Sequence, residues 1–227
     1  MRKLSLIILA ICFATFAFAQ TKPASKPTGF DKWEKEISAY EAKDKKDPPQ
    51  PGGIVFTGSS TVLRWKTLDQ DFPNLNVLNR GFGGSQIIDA THFADRIIFP
   101  YKPRMVVLRS GGNDIHAGKS AEKVFGDYKD FVAKIRSQMP DVPILYISLM
   151  PAPVRWNDRD ANKKLNDLVK EYNEQHPHLL YCETYDISVG PEDKPREDLF
   201  VADRLHPNAE GYRLMVERVR PFLSPLN

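Results

Sequence analysis

The residues of this chain whose types and spacing can do chemistry are two adjacent serines, an asparagine and an Asp-x-x-His step. They are Ser59 and Ser60 in FTGSSTVLRW, Asn113 in SGGNDI, and Asp203 and His206 in DRLHPNAEGY. A serine hydroxyl is a poor nucleophile until a base takes its proton. His206 suits that task, because imidazole titrates near neutrality. Asp203, three residues earlier, can orient the ring and stabilise the imidazolium. Attack on a carbonyl carbon builds negative charge on its oxygen, and donors fixed in advance should meet that charge. Asn113 offers a side-chain NH₂. Gly84, in NRGFGGSQI, can bring a backbone N–H close because it has no side chain, and the N–H of Ser60 is a third donor if that residue opens a helix. This is an inventory for acyl transfer.

Such residues need a scaffold that gathers distant segments. Short apolar runs at Ile54–Phe56, Val77–Leu78, Met105–Leu108, Ile144–Ser148 and Leu179–Cys182 read as five buried strands. Between them lie helical patterns. One runs from Ser85 to Ile98, with apolar positions at 87, 88, 94, 97 and 98. A second is capped by Ser120, carries Glu122 in its first turn, and has a face of Val124, Phe125, Tyr128, Phe131, Val132 and Ile135. A third contains Leu165, Leu168, Val169 and Tyr172, and Pro207 opens the last. Strand–helix alternation with continuous apolar strands predicts a three-layer α/β/α sandwich around a five-stranded parallel sheet. Ligands of such sheets bind beyond the carboxyl ends of the strands. The segments Gly58–Ser60, Gly81–Ser85, Gly111–Asp114 and Met150–Asn157, with the Asp203–His206 loop, would meet along that edge.

The ends of the chain read differently. Arg2 and Lys3, an apolar run from Leu4 to Ala19 and the step Ala17-Phe18-Ala19 make residues 1–19 a signal peptide, so the protein is expected to be exported to a periplasm or secreted. Leu9-Ala10-Ile11-Cys12 is a poor lipobox, since Ile11 stands where a small residue is needed, and no stable membrane anchor is expected after cleavage. Residues 20–29 form a Lys/Pro/Thr/Ser leader, expected to be disordered. Residues 30–51 form an amphipathic helix and linker, with Phe30, Trp33, Ile37 and Tyr40 packing against the main domain, and residues 52–227 form that domain. The formal net charge of the full chain is +3, and two of its cations lie in the signal peptide, which implies no nucleic-acid partner. Beyond the signal peptide Cys182 is the only cysteine, so stability must come from a core rather than a disulfide. The stretch SGGNDIHAGKS ends like a phosphate-binding loop, but the glycine such a loop requires falls on Asn113, and export removes the nucleotide supply. His92 and His116 lack ligand-spaced partners, and His176 and His178, which flank Pro177 before the fifth strand, are expected to be solvated, so neither a metal nor another cofactor is expected.

FTGSSTVLRW, NRGFGGSQI, SGGNDI and DRLHPNAEGY occur in the order of the motif blocks of the SGNH (GDSL-type) hydrolases, and the resemblance spans about residues 54 to 220. It implies a three-layer α/β fold of the flavodoxin-like kind, a serine ester hydrolase and no metal. By block position Ser60 matches the nucleophile, Asp203 and His206 the acid and base, and Ser60, Gly84 and Asn113 the oxyanion hole. The chain departs from the usual Gly-Asp-Ser in having Gly58-Ser59-Ser60, which leaves two adjacent serines. The G-x-S-x-G elbow of the neighbouring α/β-hydrolase fold is absent.

The expected substrate is a small-acyl carboxylic ester, such as an O-acetyl group on a carbohydrate. Arg64, Trp65, Arg155 and Trp156 are candidates to frame a sugar-stacking pocket. Lysophospholipid or other lipid esters are an alternative, though no long apolar insertion suggests a lid. A non-catalytic glycan-binding module and an acyltransferase using the same serine are two more. The oligomeric state stays open.

Overall fold

Each of the first and third apolar runs forms a strand buried along its whole length. The computed structural model describes residues 29–223, so the signal peptide and all but the last residue of the leader lie outside the described residues. The strands are β1 (Ile54–Gly58), β2 (Val77–Gly81), β3 (Met105–Arg109), β4 (Ile144–Ile147) and β5 (Leu179–Cys182). All pair in parallel in the order β2-β1-β3-β4-β5. The helices are α1 (Glu34–Lys46), α2 (Ser60–Leu63), α3 (Leu68–Asp71), α4 (Ile87–His92), α5 (Ala94–Ile97), α6 (Gly112–His116), α7 (Ala121–Arg136), α8 (Arg159–Glu174) and α9 (Ala209–Leu223).

Strand periodicity divides the core in two. Val55, Val106, Leu108, Ile144 and Tyr146 face the layer of α1, α4, α5, α7 and α8. Ile54, Phe56, Met105, Val107, Leu145 and Ile147 face the layer of α2, α3 and α9. Each fully buried large side chain contributes about 1.5–3 kcal/mol, so a sheet sandwiched on both faces holds its strand ends firmly. Ser120 caps α7 by accepting from the Lys123 N–H at 3.2 Å.

The single helix expected from Ser85 to Ile98 is two helices. Gln86 and Asp89 form a reciprocal cap that starts α4 at Ile87, and the chain breaks at Phe93 (φ −87°, ψ 4°) before α5 begins. The break seats the Phe93 ring edge-on against Phe82 and Phe30, while Ile88 stays exposed.

The expected N-terminal helix begins with a 3-10 turn, Gly29–Trp33, and continues as α1. Trp33 and Ile37 are buried in the main core. Two polar tips of this segment reach the end of β2 and the loop after it: Trp33 Nε1 donates to the Gly83 carbonyl at 2.9 Å, and the Tyr40 hydroxyl donates to the Gly81 carbonyl at 2.5 Å. Asp44 accepts two hydrogen bonds from Arg80 Nη2, at 2.6 and 2.8 Å.

Candidate active site

The order β2-β1-β3 places a topological switch between β1 and β3, where open α/β sheets bind ligands. β1 ends at Gly58, whose φ is +132°. A side chain there would lie 2.1 Å from the Arg109 carbonyl oxygen, so only glycine fits both the backbone angle and the gap. Ser59 follows in an extended conformation and Ser60 is the first residue of α2.

Of the two serines, Ser60 is the one joined to the histidine. Ser60 Oγ lies 2.8 Å from His206 Nε2, and His206 Nδ1 lies 2.7 Å from Asp203 Oδ2. Asp203 Oδ1 also accepts from the backbone N–H groups of Leu205 (2.9 Å) and His206 (3.0 Å). Burial alone would raise the Asp203 carboxyl. The backbone and ring donors of His206 and the Leu205 N–H outweigh it and hold the group well below the usual carboxylate range. It therefore stays ionised through neutral and mildly acid pH and keeps the imidazole N–H turned toward itself. His206 is buried.

Asn113, near the start of α6, is fixed at both ends of its amide. Its Nδ2 donates to the Ser85 carbonyl at 3.0 Å, and its Oδ1 accepts from Arg155 Nη1 at 2.9 Å. One N–H of Asn113 is left for a ligand. Among the described residues the backbone N–H groups of Ser60 and Gly84 have no hydrogen-bond partner. Gly84 sits at φ +74° with nothing within 4 Å of where a side chain would start. Its need for glycine is therefore conformational, not the close approach expected from the sequence.

Ser59, Ser60, Asn113, Arg155 and His206 line one pocket of about 60 Å³. Arg155 alone of the four substrate-binding candidates lines it. Trp65 is corrected to a core residue. It is 1 % exposed, its ring packs against Phe56, Phe72 and Tyr212, and its Nε1 donates to Asp71. Arg64 turns outward to pair with Asp203 at 3.3 Å, both side chains being exposed. Trp156 is half-buried, with the Arg159 guanidinium 5.7 Å from its ring, and lies off the pocket. The expected set missed Arg109, Ser110 and Asn162, which also line the pocket. The signal for Arg109 was its place: it closes the apolar run MVVLR on the face of Met105 and Val107.

Lys119, the cation of the phosphate-loop look-alike, is already engaged. Its Nζ bridges Asp114 Oδ1 (2.9 Å) and Asp127 Oδ2 (2.8 Å), and Asp114 Oδ2 accepts from the Ile87 N–H. Asp114 adjoins Asn113, so this bridge ties the α6 loop to α4 and α7. Burial pushes the Asp114 carboxyl up, and Lys119 works against that rise. Lys119→Met is expected to cost about 3 kcal/mol, because it leaves a buried carboxylate unpaired. Without the lysine the native carboxyl rises further above its unfolded value, so the lost stability grows as pH climbs through that raised value. Urea melts at pH 5 and pH 8 check this: the deficit should be larger at pH 8, and equal midpoints for both proteins at both pH values would refute it. Among the described residues no cluster of three or more His, Cys, Asp or Glu is arranged to hold a metal ion. No helix among them is long and apolar enough to cross a membrane.

Residues 54–214 match the model of the GDSL-like Lipase/Acylhydrolase family. The chain is 28% identical over 174 residues to platelet-activating factor acetylhydrolase IB subunit alpha2 of Gallus gallus, covering 71% of this chain and 69% of that protein. A GDSL-like lipase from Bacteroides thetaiotaomicron superposes with a TM-score of 0.68 at 20% identity, over 82% of this chain and 96% of that one. A carbohydrate esterase family 3 structure from Talaromyces cellulolyticus superposes with a TM-score of 0.58 at 17% identity, over 76% and 96%.

Proposed function

From the premise that the chain belongs to the GDSL-like lipase/acylhydrolase family and is a carboxylic ester hydrolase, we propose that it removes small acyl groups from carbohydrate esters through a Ser60 acyl-enzyme. The observation that carries this reading is the hydrogen-bonded chain Ser60–His206–Asp203. His206 Nε2 takes the Ser60 proton as Oγ attacks the ester carbonyl carbon. Asp203, already ionised, stabilises the imidazolium. The N–H groups of Ser60 and Gly84 and the free N–H of Asn113 meet the charge on the carbonyl oxygen. His206 then gives its proton to the leaving alcohol. A water molecule, deprotonated by the same nitrogen, releases the acid.

The acyl size rests on the pocket. The pocket beside the serine is lined mostly by polar residues, with Leu149, Met150, Ala152 and Leu205 its apolar ones, which suits a short acyl group better than a long chain. The Gallus gallus relative is named an acetylhydrolase and the Talaromyces cellulolyticus neighbour a carbohydrate esterase, which supports this substrate class. Residues 1–19 support export, with a mature N-terminus at Gln20.

The test is a chain-length series of p-nitrophenyl esters on protein recovered from the periplasm or medium, with its N-terminus read by mass spectrometry. Each buried CH₂ would add about 0.8 kcal/mol to binding in a lipid site. We expect kcat/KM to peak at acetate or butyrate and to fall by octanoate, with acetate released from acetylated oligosaccharides. A profile rising through dodecanoate would favour a lipid substrate instead, and sugar binding without hydrolysis would favour a glycan-binding module.

A further inference from the structure

Three buried side-chain polar atoms lack a hydrogen-bond partner among the described residues: Arg109 Nε, Ser110 Oγ and Asn162 Oδ1. All three residues line the pocket into which Ser60 and His206 open. Elsewhere in the described interior, buried polar side chains are satisfied. Unmet polar capacity is thus confined to the one place where a substrate would sit.

Arg109 is the costly member of the group. It is 7 % exposed, at the carboxyl end of β3, with its side chain on the α9 side of the sheet. Its guanidinium makes no ion pair and no side-chain hydrogen bond among the described residues. No carboxylate lines the pocket. The groups whose charge would act on it most are the hydroxyls of Tyr212 and Tyr146, and burial pushes both upward, Tyr212 to about 12, so both are neutral. The other arginine of the pocket, Arg155, is occupied by Asn113. Guanidinium groups do not shed their proton in proteins, and a buried charge without a partner is strongly unfavourable. A carboxylate entering the pocket would relieve that cost, with two parallel N–H···O bonds to the planar fork.

We propose that Arg109 receives a carboxylate carried by the substrate, so that the natural ester belongs to an acidic molecule. This rests on the esterase reading and narrows it. The carboxylate has two possible places: the acyl part, as in a dicarboxylic half-ester, or the alcohol part, as in an acetylated uronic acid. In both, Ser110 and Asn162 offer additional polar contacts at the same pocket wall.

The experiment compares kcat/KM for matched pairs. On the acyl side the pair is p-nitrophenyl hemisuccinate and its uncharged isostere, p-nitrophenyl 4-methylpentanoate. On the alcohol side it is mono-O-acetylglucuronic acid and mono-O-acetylglucose. We expect the acidic member to be favoured by about tenfold or more in one of the pairs, the size of a charge-assisted hydrogen bond. Arg109→Met should lose that preference, and Arg109→Lys, which keeps the charge without the fork, should retain part of it. Labelling of Ser60 by a fluorophosphonate reports in each variant whether the reacting groups are intact. Turnover and labelling by the wild-type protein with no preference in either pair would overturn the proposal alone and leave Arg109 solvated by trapped water. No turnover of any ester and no labelling would overturn the esterase reading, and this proposal with it.

Discussion

Ser60→Ala is expected to abolish ester hydrolysis, and Ser59→Ala to leave most of it. Loss of the nucleophile from a relay of this kind costs on the order of 10⁶ in kcat. The two hydroxyls are adjacent in sequence and line the same pocket, yet His206 Nε2 is hydrogen-bonded to Ser60 Oγ only. Ser59 lies in an extended conformation one residue before α2, so its side chain leaves the chain in another direction. A fluorophosphonate should therefore form its adduct on Ser60, read by peptide mass spectrometry of the labelled protein. An adduct on Ser59, or full turnover by Ser60→Ala, would show that the wrong hydroxyl has been assigned.

Asn113→Ala is expected to lower kcat by about 10²–10³, the usual cost of one oxyanion donor, while phosphonate labelling continues at a reduced rate. Its amide is oriented by two hydrogen bonds, from Arg155 to Oδ1 and from Nδ2 to the Ser85 carbonyl. Arg155→Ala frees one end of that amide, so it should cause a smaller loss of the same kind. Combined with Asn113→Ala it should add little, because an arginine acting through the amide has nothing left to act on. Steady-state kinetics of the two single variants and the double variant test this. Wild-type turnover from Asn113→Ala would remove that residue from the site, and fully additive losses would give Arg155 a separate role.

The sheet was legible because buried parallel strands are apolar without interruption, and MVVLR or ILYI cannot be mistaken for an exposed surface. Strand ends were less so. Thr57 and Gly58 in β1, and Asn79 to Gly81 in β2, are not apolar, but they pair in register to the sheet edge. The broken helix around Phe93 was hidden because an apolar spacing of 3.6 continues across the break. The grouping of Ser60, Asn113, Asp203 and His206 was visible because each lies in a turn that follows or borders an apolar element. Trp65 misled because an aromatic residue near a site is readable from sequence, whereas the direction of its side chain depends on α2, which starts at Ser60 and turns the ring under the sheet. Arg109 was overlooked for the opposite reason. A charged residue at the end of an apolar strand usually marks the surface, whereas Arg109 is an interior group that lines the pocket together with Ser59, Ser60 and Thr61.

The brace that residues 29–46 give to the end of β2 and the loop after it bears on where the folded unit begins. The family match starts at residue 54, yet Trp33 and Tyr40 hold the carbonyls of Gly83 and Gly81, and Trp33 and Ile37 fill the main core. The stretch that the family model spans and the stretch that folds are thus different lengths of chain. A fragment cut at the start of the family match would keep Ser60, Asn113, Asp203 and His206 and release the support beside Gly84, the candidate oxyanion donor of that turn. Substitutions in this segment are expected to change how firmly the turn from Gly81 to Gly84 is held without altering any residue that lines the pocket.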